Sequence, residues 1–138
     1  MKRIFLDANI VLDLLDGRRP GHADALLLEK AVESSQSICM CAWHTLSIVA
    51  YVGAKVFGKE EIQELLNELL GSWIVPETGT EEAREAFKYL SGDYEDAMQI
   101  ASAVAGRADY LVTRDRDGFS NSPVKIVSPR ELCRVLKE

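Results

Sequence analysis

Three groups of acids, far apart in the chain, are the residues most able to do chemistry. Asp7 closes the apolar run Ile4-Phe5-Leu6, Asp93, Glu95 and Asp96 open an alanine-rich stretch, and Asp115 and Asp117 follow Tyr110-Leu111-Val112-Thr113. Carboxylates brought close together repel, so such a group must take up protons or a cation. With no His or Cys beside them, an all-oxygen donor set suits a hard ion, Mg²⁺ or Mn²⁺. Such an ion can activate water and stabilise the leaving oxygen of a phosphodiester. Each acid also has a structural reading. Asp93 fits a helix cap, Glu95 and Asp96 complement a helix dipole, and Asp117 before Gly118 fits a turn. Asp7 is harder to explain that way, because a lone acid at the mouth of a buried strand carries a desolvation cost.

The elements that would bring these acids together are legible in the pattern. Strands are expected at 3–6, 38–41, 73–75, 110–113 and 124–127. Helices are expected after Asn9 as a cap, over 22–34, from about 42 to 57, over 59–70, from Thr80 to about Leu90, from Asp93 to near Gly106, and after Ser128-Pro129-Arg130-Glu131. Short continuous apolar strands alternating with helices predict a mostly parallel sheet covered on both faces. The fold expected is therefore a three-layer α/β/α domain with about five strands, spanning 1–138. In such a sheet the carboxyl ends of the strands and the amino ends of the following helices share one edge, where ligands bind. All three acid groups fall on that edge.

The 138 residues suit one domain, and 47% hydrophobic with 28% charged residues is an ordinary globular balance. A net charge of −6 argues against a simple nucleic-acid-binding module, which works by neutralising phosphates. It does not argue against a carboxylate cluster that a cation neutralises locally. Cys39 and Cys41, expected on opposite faces of a strand, and Cys133 are read as reduced thiols of a cytoplasmic protein. Ser34 to Ala54 lacks Asp, Glu, Lys and Arg. It is read as a buried strand and helix rather than a membrane span, because Gln36, His44, Thr45 and Ser47 interrupt it.

With these residues in place, the chain resembles the PIN-domain family. Phe5-Leu6-Asp7-Ala8-Asn9-Ile10-Val11-Leu12-Asp13 is similar to the family's opening strand. Asp93-Tyr94-Glu95-Asp96-Ala97-Met98-Gln99 resembles its central acidic segment, Ala108 to Asp115 its last strand and acidic loop, and Val127-Ser128-Pro129-Arg130-Glu131-Leu132 its ending. The resemblance implies a Mg²⁺- or Mn²⁺-dependent ribonuclease, and small prokaryotic members are often dimeric toxins held by an antitoxin protein. Carried over by position, Asp7, Asp96 and Asp115 would be catalytic metal ligands. Asp93 and Glu95 would be supporting acids, and Asn9 and Thr113 would orient the site.

One departure is visible. Many members carry an acid six residues past a small residue at the start of the helix after the second strand; aligned on Ala42, that position is Ile48. A catalytically weak or inactive RNA- or protein-binding module is therefore the alternative. Arg114 and Arg116, with Arg18 and Arg19, are the candidates for holding RNA, and Trp43 and Tyr94 could stack on bases, although a covered position is expected for Trp43. His44 is read as a core or helix-start residue. An aspartyl-phosphate phosphatase ranks low, because Asn9 stands where its acid would be, and a dinucleotide enzyme lower, because no Gly-x-Gly-x-x-Gly follows the first strand.

Overall fold

The structure, a computed structural model, describes residues 1–137; Glu138, the last residue of the expected 1–138 domain, lies outside the described residues. Strand β1 (Arg3–Leu6) leads into helices α1 (Ala8–Leu15) and α2 (His22–Ser34). Then come β2 (Ile38–Met40), α3 (Trp43–Phe57), α4 (Lys59–Leu70) and α5 (Thr80–Glu85). Helix α6 (Tyr94–Ala105), β3 (Tyr110–Val112), β4 (Lys125–Val127) and α7 (Pro129–Leu136) complete the order.

The strands pair in the order β2-β1-β3-β4, all parallel. The chain leaves β1 toward β2 on one side and returns to β3 on the other, so the strand order switches between β1 and β3. A parallel sheet opens a ligand-binding crevice at that point. The register pairs Leu6 with Val112, which sets the next residues of the two strands, Asp7 and Thr113, side by side.

Alternation along the strands builds two cores. Ile4, Leu6, Val112 and Val127 face one side, where Val11, Leu28, Val32, Val49, Ile62 and Leu132 bring α1, α2, α3, α4 and α7 together. Phe5, Met40 and Leu111 face the other, against Ile100 and Ala103 of α6 and Phe119. The three expected layers are present. Cys39 and Cys41 share the first core rather than opposing one another, because alternate strand positions point to the same face. Burial pushes both thiols up to about 12.

The sheet has four strands, not about five. Trp73-Ile74-Val75 makes only one parallel bridge, Ile74 with Met40. Ile74 donates to Cys39 O (3.0 Å) and accepts from Cys41 N (3.3 Å), after which Pro76 offers no N–H to extend the ladder. The expected helix from Thr80 to Leu90 tightens after Glu85 into a 3₁₀ turn over Ala86–Tyr89. The α7 start is as expected: Ser128 Oγ accepts from Glu131 N and the Glu131 carboxylate accepts from Ser128 N. No helix among the described residues is long and apolar enough to cross a membrane.

Candidate functional site

Asp7 sits where β1 ends, buried, with its carboxylate fixed by three donors. Thr113 Oγ1 donates to Oδ2 (2.8 Å), and Gln99 Nε2 (3.2 Å) and Asn9 N (3.4 Å) donate to Oδ1. Asp7, not Asn9, is therefore the cap of α1. An acid at the strand end can do this because its own backbone is still extended. Burial nevertheless raises the proton affinity of Asp7, outweighing those hydrogen bonds and the nearby charge of Arg114.

Asp96 occupies the first turn of α6, just after Asp93, whose side chain caps the helix by accepting from Glu95 N (2.7 Å). Its carboxyl is pushed up to about 7, first by burial and then by the charges of Asp7, Asp93, Glu95 and Asp115. Glu95 is raised too, by burial and then by Asp93 and Asp7. Asp115 is exposed on the loop after β3. Its backbone N donates to Thr113 Oγ1 (3.0 Å) and its Oδ1 accepts from Gly118 N (3.2 Å).

Gly118 shows how near the acids lie. A Cβ built there would fall 2.6 Å from Asp96 Oδ2 and 2.9 Å from Asp115 Oδ2. The two carboxylates converge on one small space that only a glycine leaves open. Thr113 ties Asp7 to the same loop, since its hydroxyl serves both Asp7 and Asp115. Asp117 begins a 3₁₀ turn and is exposed, as its turn reading requires. Among the described residues no three acids, imidazoles or thiols form a ready-made metal cage. The arrangement still fits a hard ion of the Mg²⁺ type, which keeps several waters and is bound through one or two carboxylates.

The expected cationic residues are engaged within the chain. Arg114 Nε lies 2.8 Å from Asp13 Oδ2 and its Nη2 donates to Asp13 Oδ1 (3.2 Å). Arg19 Nε donates to the same Oδ1 (2.8 Å), Arg18 pairs with Asp16, and Arg116 pairs with Glu131. Asn9 Oδ1 accepts from Arg19 Nη2 (3.4 Å), so its side chain faces this ion-pair cluster.

Two residues central to this architecture, Asp13 and Gln99, stand inside the motifs quoted above but have no role assigned from the sequence. Asp13 is 1% exposed and holds both Arg19 and Arg114. An acid set among Ile10, Val11, Leu12, Leu14 and Leu15 was the available signal. Gln99, fully buried, orients Asp7 with its Nε2 and accepts from Ala8 N (3.0 Å) with its Oε1. Its signal was a lone polar side chain between Met98 and Ile100.

A parallel sheet between two helical layers, with acids gathered at its switch point, defines a class of α/β domains. Residues 3–117 match the PIN domain, and the chain belongs to that family. It is 23% identical over 140 residues to "Ribonuclease VapC1" of Aquifex aeolicus (strain VF5), covering 96% of this chain and 94% of that protein. Among solved structures, VapBC-1 from nontypeable Haemophilus influenzae superposes with a TM-score of 0.71 at 14% identity, over 93% of this chain and 98% of that one. A toxin–antitoxin complex from Klebsiella pneumoniae gives a TM-score of 0.67 at 25% identity, over 91% and 97%.

Proposed function

We propose that this protein is a divalent-metal-dependent endoribonuclease acting as the toxin of a toxin–antitoxin pair. The observation that carries this reading is the convergence of Asp96 and Asp115 on one space, beside a buried Asp7, with the Asp96 carboxyl pushed up to about 7. A site that strains to stay ionised is a site that a cation relieves. The relative called a ribonuclease and the toxin–antitoxin neighbour support the substrate class and the role.

Asp7, Asp96 and Asp115 are the residues that would hold the ion. Mg²⁺ or Mn²⁺, when bound, would supply charge neutralisation at the phosphate and a more acidic water. Thr113 and Gln99 do the protein's part of the work by fixing which Asp7 oxygen faces which donor. Preset orientation removes reorganisation from the reaction step. Glu95 and Asp93 stand at the exposed rim as supporting acids, and burial with the neighbouring Asp93 and Asp7 raises the proton affinity of Glu95. Arg114, already close enough to act on Asp7, offsets part of the cluster's charge while Asp13 keeps it in place.

In this reading the 1–138 chain works as a single cytoplasmic domain, as a homodimer, with an antitoxin protein as its inhibitor. A fluorescent single-stranded RNA panel with Mn²⁺ or Mg²⁺ tests it: cleavage is expected, and Asp7→Asn should reduce it at least ~100-fold. Equal rates in both proteins would remove the assignment. Ile48, half-buried where the family resemblance leads one to expect an acid, favours a second reading, an inactive module. That reading gives RNA or protein binding with no metal-stimulated cleavage and no Mn²⁺ heat in calorimetry.

A further inference from the structure

Trp43 opens α3 and is 72% exposed, against the covered position expected from the sequence. It flanks a pocket of about 190 Å³ whose walls include His44, Thr78, Glu82, Met98 and Ser102. This is smaller than the ~300–1,000 Å³ usual for drug-sized ligands and suits one flat heterocycle.

The pocket carries polar atoms that the chain itself does not use. Ser102 is 3% exposed, and both its Oγ and His44 Nε2 are buried without a hydrogen-bond partner. Buried polar groups are ordinarily paired, so two unpaired ones on residues that line a single pocket point to a partner the chain does not supply. Burial also lowers the proton affinity of His44, and a neutral imidazole can donate or accept at Nε2 according to its tautomer.

Its place is equally specific. Carrying the β1–β2 register of Phe5 and Met40 two residues on sets Asp7 level with Ala42, next to Trp43. Met98 and Ser102 ride on α6, the helix that begins with Asp96, and the Glu95 backbone lies against the His44 ring.

We infer that this pocket is a nucleobase subsite, in which a base of the RNA next to the scissile phosphate stacks on Trp43 and presents its polar edge to His44, Ser102 and Glu82. Exposed aromatic faces bind bases of any sequence by stacking, and hydrogen bonds to the base edge supply the choice. Glu82 uses Oε1 to accept from Gly79 N (2.8 Å) and, as an acceptor with four lone-pair sites, has capacity left. A carboxylate accepts from an exocyclic amino group, so adenine, cytosine or guanine is favoured over uracil, which has none.

The inference rests on the ribonuclease reading for its substrate, but binding can be tested without cleavage. The four nucleoside 5′-monophosphates are titrated into the protein in chelator, with tryptophan fluorescence as the readout. Saturable quenching is expected, weakest for UMP by at least about five-fold, and absent in Trp43→Phe, where only Trp73 still emits. No saturable quenching, equal response to UMP, or quenching retained in Trp43→Phe overturns the subsite.

A random RNA pool then reports the base frequencies flanking the cuts. Trp43→Ala should weaken cleavage at the preferred base roughly 5- to 100-fold, and Ser102→Ala should flatten the preference. Unchanged frequencies in both variants refute the subsite while leaving the ribonuclease standing. If the wild type cuts no RNA, the ribonuclease reading fails, and the nucleotide titration decides the pocket by itself.

Discussion

Replacing Asp96 by Asn should make the metal-free protein more stable at pH 8, and the gain should fade as the pH falls. The carboxyl is raised from 3.8 to about 7 by burial and by four neighbouring acids. Full conversion of that difference would be ~4 kcal/mol against the charged form. Asp96 is only partly buried and water screens its neighbours, so ~1–2 kcal/mol is the realistic size. The first turn of α6 returns some of this, because a helix amino end favours an acid by about 0.3–1 kcal/mol. A net gain of about 1 kcal/mol, or roughly 3–5 °C in Tm, is expected for Asp96→Asn.

The sign follows from the direction of the shift. The folded protein holds this proton more tightly than the unfolded chain, so the unfavourable contribution is complete above about pH 7 and is relieved as pH falls toward 3.8. Thermal melts in chelator at pH 8 and pH 5 measure it, with wild type and variant side by side to cancel the other titrating groups. Added Mn²⁺ should then stabilise the wild type more than the variant, since only a ligand bound to the folded state raises Tm. A variant less stable than wild type at pH 8, or a difference that does not change with pH, would refute the strained-acid account.

Asp13→Ala should cost about 3 kcal/mol in urea unfolding, the low end for breaking a buried pair, because the freed Arg19 and Arg114 are partly exposed and can reach water; a loss under ~1 kcal/mol would mean the pair is not structural. Gly118→Ala would place a methyl against Asp96 and Asp115. It should weaken Mn²⁺ binding about ten-fold by calorimetry and lower Tm slightly, because the Asp96 and Asp115 carboxylates must shift to make room; an unaltered Kd would show that the ion binds elsewhere. At pH 8 a thiol reagent should label at most Cys133 quickly in the native state and all three cysteines after unfolding; fast labelling of Cys39 or Cys41 would contradict their burial.

The layers were legible because periodicity is a local signal that burial enforces. Ile4, Phe5 and Leu6 are apolar on both sides of the strand because both faces are covered, and the α7 start is written in four consecutive residues. Trp73-Ile74-Val75 misled because a three-residue apolar run says nothing about whether a neighbour is free along its whole length. Only the bridge to Met40 forms before Pro76 ends the ladder. The C-terminal part of the Thr80 helix failed for a similar reason: local propensity does not distinguish an α turn from the tighter 3₁₀ turn over Ala86–Tyr89.

At the site, the sequence shows which residues could ionise but not which ionised partners will meet. Arg114 looked available to RNA because it follows Thr113 in a loop, yet its partner, Asp13, lies 101 residues away on α1. The exposed side of Trp43 was equally hidden, because an aromatic residue beside a buried strand is usually covered and nothing local marks the pocket that leaves it open. These two misreadings share one cause and point in one direction. Of the cations expected to face the substrate, Arg19 and Arg114 are held by the buried Asp13 while Arg18 and Arg116 pair with acids at the surface, and the exposed group beside them at this edge is the Trp43 ring. On the ribonuclease reading, a protein of net charge −6 whose arginines at this edge are already paired would take part of its grip on RNA from a bound cation and part from the base.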